Sequence, residues 1–243
     1  MSFKNKSPLR YPGGKTRACK KLEDILIKNF DISNTKTLIS PFFGGGSFEF
    51  FLQNKYNLEI IANDKFKPLY NFWNTSKNNK LELCSKLYDL KEVSSADFSN
   101  FRSIVMNEEN DLQQAYYYFI INRCSFSGAT LSGGFSLEAS KKRFTKSSID
   151  RVNALNLSKV EFNNLDFSEF IENNCNSNNL DSDSIMFLDP PYYLEKGSNL
   201  YGNNGDMHET FNHKKLYECL KDKNRWIMTY NNCNYIKELY KDY

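Results

Sequence analysis

The sequence predicts an α/β protein built on a parallel sheet, and three observations carry that reading. Short apolar runs of strand length alternate with segments whose apolar residues recur every three or four positions. The first 64 residues give helix, strand, Gly-rich turn, helix and strand, which is the opening of a βαβ unit. Three of the strands end in distinctive chemistry: the turn SPFFGGGSF, Asp64, and Asp189 of MFLDPPYY. Ligands of open parallel sheets sit outside the carboxyl ends of the strands, so these three ends are where a site is expected.

The elements follow in order. Residues 16–30 place Leu22, Ile25, Leu26 and Phe30 at helical spacing. TLIS at 37–40 is a strand, stopped by Pro41 and three glycines. Residues 47–55 read as a helix with Ser47 as its cap, and LEIIAND at 58–64 as the second strand. From about 68 to 121 the pattern is helical throughout. NRCSFSGATLSGGFS (122–136) breaks that period and reads as a hairpin-like stretch, followed by a dense basic segment at 141–151. KVEFNNLDF (159–167) returns to strand character, and 171–183 is a polar loop. SIMFLD (184–189) is a strand, 209–223 a helix, RWIMTYNN (225–232) a strand, and 235–243 a final helix.

Composition narrows the function classes. A length of 243 residues suits one large α/β domain, or a core domain with an insert. The net charge of +3 is compatible with nucleic acid binding without demanding it. No run approaches eighteen apolar residues, and the first fifteen lack the apolar core of a signal peptide. The six cysteines are scattered with no C-x-x-C pair, which predicts reduced thiols in an intracellular protein. His208 and His213 have no cysteine cluster beside them, so no metal site is expected.

The motifs separate ligand classes. A dinucleotide turn needs G-x-G-x-x-G; Gly44 and Gly46 supply the first half, but Glu49 stands at the third position. An acid there opposes a pyrophosphate on the helix N-terminus. Asp64, twenty residues after Gly44, suits ribose hydroxyls, so a nucleoside without a pyrophosphate fits both facts. GGKT (13–16) looks like the end of a P-loop, but Leu9 stands where its first glycine belongs and no apolar strand precedes it. In DPPY, Pro190 and Pro191 stop the strand and hold the preceding residues extended. That rigid backbone would project Asp189, a proline carbonyl and Tyr192 into the crevice. The plainer reading is a strand end punctuated by proline, with core aromatics.

Four motifs in one order carry a family resemblance: RYPGGK at 10–15, PFFGGGSF at 41–48, ND at 63–64 and DPPYY at 189–193. Together they resemble the DNA adenine-N6 methyltransferases of the DNA adenine methylase family, over almost the whole chain. KGSNLYGNNGDMHETFNH (196–213) and WIMTYNN (226–232) resemble the segments that follow in many members. The resemblance implies a Rossmann-like S-adenosylmethionine-dependent methyltransferase sheet, with 1–69 and 155–243 as catalytic domain. A mainly helical target-recognition insert would span 70–154.

It also implies site residues. S-adenosyl-L-methionine is the expected cofactor, with Tyr11 and Lys15 on its methionine side, and the lysine ammonium suited to the carboxylate. Phe42, Gly44 and Gly46 would line the nucleoside, and Asp64 would hold the ribose. Asp166 and Phe167 would lie near the adenine, against the simpler reading of a helix cap and a core aromatic. Asp189, Pro190 and Tyr192 would be catalytic, with Asp189 also facing the cofactor. Tyr192 would stack on an adenine flipped out of duplex DNA. Arg123, Lys141, Lys142, Arg143 and Lys146, with Arg151 in the same segment, would contact DNA, against the plainer reading of a solvated basic loop. A cytoplasmic, DNA-associated location is expected. So is a cognate restriction endonuclease acting on the same site without a stable complex.

The sequence departs from the pattern in three places. Ser40 stands where many members carry an acid before PF, SGATLSGGFS replaces a turn found in GATC-recognising members, and the chain ends at Tyr243 where members usually continue. A methyltransferase acting on RNA, and a relative that binds DNA or cofactor without turnover, are the two other readings.

Overall fold

The apolar runs form five parallel strands in a computed structural model that describes residues 4–175, 180–193 and 211–243. They are β1 (Thr37–Ser40), β2 (Glu59–Asn63), β3 (Val160–Asn163), β4 (Ser184–Leu188) and β5 (Trp226–Met228). Their order across the sheet is β3-β2-β1-β4-β5. The chain therefore builds outward from β1 in one direction, then crosses back to β4 on its other side. The crevice between the carboxyl ends of β1 and β4 is the topological switch point, where such sheets bind ligands.

Helices cover both faces. A 3₁₀ turn (Lys15–Arg17) leads into α1 (Cys19–Asn29), and α2 (Ser47–Tyr56) joins β1 to β2. Between β2 and β3 come α3 (Lys67–Asn78), α4 (Lys80–Asp89), α5 (Ser95–Ile104), α6 (Asp111–Cys124), α7 (Leu137–Arg143) and α8 (Lys146–Asn153). Then follow α9 (Phe167–Asn173), α10 (His213–Leu220) and α11 (Asn234–Leu239). Strand residues alternate between two cores, as a pleat with a period of two requires. Leu38, Ile60, Ile185 and Phe187 face one core with α1 to α8; Ile39, Met186 and Leu188 face the other, with Phe170, Leu216 and Leu220. Both sides are buried, which is why these strands read as continuous apolar runs.

Three details differ from the sequence reading. Gly46, in a left-handed conformation (φ 65°), occupies the N-cap of α2, so Ser47 is the first helical residue and caps nothing. β3 ends at Asn163, and residues 167–173, expected as strand end and polar loop, form α9 because the Asp166 carboxylate accepts from Ser168 N–H. The basic segment at 141–151 lies in α7 and α8, capped by Ser136 and by a Thr145–Ser148 capping box, with the residues between them linking the two helices. The hairpin-like stretch closes through a bridge between Ser125 and Phe135. Most of the 196–213 segment, including His208, lies outside the described residues.

The insert boundary expected at residue 70 falls inside α3. That helix belongs to the sheet's packing: Trp73 stacks on Phe162 of β3 at 5.9 Å, and its indole Nε1–H donates to Gly44 O (2.9 Å). Trp73 thus ties the helical segment to the turn after β1. Trp73→Phe keeps most of the ring but strips a buried carbonyl of its donor. Urea unfolding should show a loss of about 1–3 kcal/mol.

Candidate active site

Three glycines shape the turn after β1. Gly44 and Gly46 adopt left-handed angles (φ 51° and 65°) that favour glycine. A Cβ on Gly44 would lie 2.9 Å from Cε1 of Tyr11, and one on Gly45 would lie 2.9 Å from Tyr11 Cβ. The missing side chains therefore let the Tyr11 ring, from the RYPGGK segment, lie directly on the turn. Two motifs distant in sequence form one surface.

Asp64, just beyond β2, ties that surface together. Its Oδ2 accepts from Gly44 N–H (2.9 Å) and its Oδ1 from Phe66 N–H (3.0 Å). Burial pushes this carboxyl up to about 6, against the pull of the two backbone donors. Each carboxylate oxygen keeps a second acceptor direction. Asn164 donates to the Asp64 carbonyl (2.7 Å) from the start of the β3–α9 connection.

The floor of the crevice carries a pair that sequence reasoning missed. Ser40, at the end of β1, donates from its hydroxyl to Glu49 of α2 (2.7 Å), and both residues are fully buried. Burial pushes the Glu49 carboxyl up to about 7, outweighing the bonds it accepts. Nine residues separate the partners, across a turn whose shape no residue pattern announces.

At the end of β4, Asp189 is held from two sides. Lys15 Nζ donates to its Oδ2 (2.5 Å), and the Thr229 hydroxyl donates to its Oδ1 (2.5 Å). Lys15 also donates to Gly13 O (2.7 Å) and lies 5.3 Å from the centroid of the Tyr192 ring. Burial alone would lower the Lys15 pKa, but Asp189 and then Tyr192 outweigh it and leave it raised. Tyr192 faces Tyr230 at 6.0 Å. Tyr193 stacks on Tyr235 at 4.4 Å, and its carbonyl accepts from Asn231 (2.7 Å).

Phe42, Phe167 and Phe211 form an aromatic trio with centroids 5.2–5.6 Å apart, packed on the second core. Asp166 caps α9 and pairs with Lys65 (2.9 Å) and Lys215 (3.2 Å). Burial would raise its carboxyl, but Lys65, Ser168 and Lys215 hold it well below the usual carboxylate range. Asp166 and Phe167 thus do what a helix cap and a core aromatic do, at the rim of the crevice.

The expected DNA contacts divide. Arg123 is 7% exposed, and its guanidinium donates to Arg143 O (2.7 Å) and Pro8 O (3.0 Å). Lys141, Lys142, Arg143 and Lys146 are exposed on α7 and α8. Lys142 pairs with Glu138 and Lys146 with Asp150 at i,i+4 spacing, pairs worth little in water. All six cysteines are free, and burial pushes Cys19 and Cys84 up to about 11 and Cys124 to about 12, far from reactive thiolates. Among the described residues, no acid, histidine and cysteine group could hold a metal, and no helix is long and apolar enough to cross a membrane.

The Gly-rich turn after β1, Asp64 after β2, Glu49 in the first turn of α2 and Lys15 beside Asp189 gather at the switch point of an α/β sheet. Residues 11–243 match the model of the D12 class N6 adenine-specific DNA methyltransferases, and the chain belongs to that family. It is 27% identical over 203 residues to the type II methyltransferase M.MjaIII of Methanocaldococcus jannaschii, covering 76% of this chain and 68% of that one. It is 24% identical over 246 residues to the type II methyltransferase M.CviBI of Paramecium bursaria Chlorella virus NC1A, covering 97% and 86%.

Two outcomes are expected. The Glu49 carboxyl keeps its proton to about 7 in the folded protein and loses it near 4.5 when unfolded. The folded state then binds more protons at Glu49 across that window, so the contribution of this carboxyl to stability falls as pH rises from 4.5 to 7 and is flat outside it. Glu49→Gln removes this slope, and urea unfolding of variant and wild type across pH 4–8 measures the difference. Arg123→Met leaves two inward-facing carbonyls without donors and should cost about 2–4 kcal/mol in the same assay at pH 7.

Proposed function

We propose that this chain transfers a methyl group from S-adenosylmethionine to the N6 amine of an adenine turned out of duplex DNA, at the crevice between β1 and β4. The observation that carries the reading is Asp189, fixed at the carboxyl end of β4 by Lys15 and Thr229 and followed by two prolines.

The donor set fits the cofactor. S-adenosylmethionine supplies an electrophilic methyl on a sulfonium and carries no phosphate, which suits an acidic helix start. Asp64 would take the ribose hydroxyls, with Tyr11, Phe42, Gly44 and Gly46 against the nucleoside and Asp166 and Phe167 toward its adenine. Lys15 would take the methionine carboxylate. Its ammonium already touches Gly13 O, Asp189 and Tyr192, so it would be shared between Asp189 and that carboxylate.

The amine of the target adenine is a poor nucleophile because its lone pair is delocalised into the ring. Asp189 and the Pro190 carbonyl would accept its two N–H hydrogens, favour tetrahedral geometry and so free the lone pair. As the N–C bond forms the methyl–sulfur bond breaks, leaving a neutral thioether, and one of those protons would pass to Asp189. Tyr192 would stack on the extruded ring. The gain comes from preorganised acceptors and orientation. The helical segment 70–154 would recognise the target, with Lys141, Lys142, Arg143 and Lys146 as phosphate or base-edge contacts. The type II names of the two relatives support a modification role beside an endonuclease of the same site.

The test is transfer of labelled methyl from S-adenosylmethionine to unmethylated duplex DNA, with hydrolysis of the product. N6-methyladenine should form, and Asp189→Ala should lower kcat at least about 10³-fold. Transfer to structured RNA alone would replace duplex DNA as the substrate. Cofactor binding without transfer to any nucleic acid would contradict the reading.

A further inference from the structure

Prolines fix the backbone after β4, but they do not fix which way the Asp189 carboxylate turns or where the peptide after Tyr192 lies. Lys15 holds one carboxylate oxygen, and the tip of β5 holds the other and the peptide beyond. Thr229 N–H donates to Leu188 O (2.9 Å), which continues the β4–β5 ladder by one step. That step brings the Thr229 hydroxyl to Asp189 Oδ1 (2.5 Å). Two residues on, the Asn231 amide donates to Tyr193 O (2.7 Å). Its orientation is unambiguous, because the amide oxygen could not face a carbonyl. Tyr230, between them, packs against Tyr192, and Tyr235 stacks on Tyr193.

We propose that Thr229 and Asn231 are positioning residues: Thr229 aims the Asp189 carboxylate, and Asn231 sets the peptide that carries Tyr192 and Tyr193. The proposal rests on the methyl-transfer reading above and adds two residues to its site. Asn231 shows that the arrangement serves more than stability. Among the described residues its side chain makes one hydrogen bond, and its Oδ1 is buried with no partner. A hydrogen bond contributes about 1 kcal/mol and an orphaned acceptor costs about 1–3 kcal/mol, so the side-chain amide gives the fold little or nothing. What it contributes is the place of the arm.

Thr229→Val keeps the side-chain shape and removes the donor, and Thr229→Ser restores the donor. Misplacing a reacting group by about 1 Å costs up to ~10²-fold in rate. Thr229→Val is therefore expected to lower kcat by ~10- to 100-fold, with KM for DNA and calorimetric affinity for S-adenosylmethionine within about threefold of wild type. Thr229→Ser should return kcat to within about threefold, and Asn231→Ala should lose about tenfold at an unchanged thermal midpoint. Wild-type kcat in Thr229→Val overturns the proposal. So does a loss that follows the thermal midpoint and is not rescued by serine.

Crystal structures of wild type, Thr229→Val and Thr229→Ser give a readout that needs no activity. The Asp189 carboxylate should turn away in the valine variant and stay in the serine variant; an unmoved carboxylate overturns the proposal. If the wild-type chain transfers no methyl group, the methyl-transfer reading fails, and the carboxylate positions alone decide whether Thr229 aims Asp189.

Discussion

The ion pair between Lys15 and Asp189 is the contact on which the candidate site depends. It joins the segment before α1 to the carboxyl end of β4, 174 residues apart. Both side chains are largely shielded, at 14% and 22% exposure, so salt and water screen the pair less than a surface bridge. Removing either partner leaves the other's charge beside a crevice wall with its geometry undone. The Tyr11 ring, four residues before Lys15, lies on the Gly-rich turn, so the same short segment also covers the end of β1. RYPGGK is therefore a clasp across the switch point, tying the two strands between which a ligand would sit.

Around that clasp the acids fall into different electrostatic settings. Burial raises Asp64 and Glu49, while lysines and a helix start lower Asp166. Asp189 alone among these four pairs directly with the lysine of the clasp. Glu49 at the helix start, Asp64 after β2 and Lys15 beside Asp189 thus set three different electrostatic conditions around one crevice. The bonds at the tip of β5 complete it from the far side of β4.

The strands were legible because burial on both faces writes them as unbroken apolar runs: TLIS became β1 residue for residue, and MFL ended where Pro190 removes a ladder donor. The parallel order followed from strands separated by helices too long for hairpins. What the sequence hid has three causes. Local capping beat strand propensity at Asp166, whose carboxylate starts a helix where the pattern FNNLDF suggested extended chain. The inward turn of Arg123 was not legible either, since a run of basic residues does not reveal which guanidinium meets buried carbonyls. Pairs such as Ser40–Glu49 and Thr229–Asp189 exist only once the turn after β1 and the β4–β5 pairing are formed. Single-sequence spacing has no signal for them.

The central claim is that the crevice between β1 and β4, with Asp189 at its edge, is where the methyl group meets the amine. A crystal structure of the protein with S-adenosylhomocysteine and a duplex bearing its target adenine tests this most directly. The account predicts the nucleoside between Asp64 and the Gly44 turn, and the extruded amine within hydrogen-bond distance of the Asp189 carboxylate and the Pro190 carbonyl. An adenine that stays stacked in the duplex, or one whose amine meets other acceptors, would contradict it.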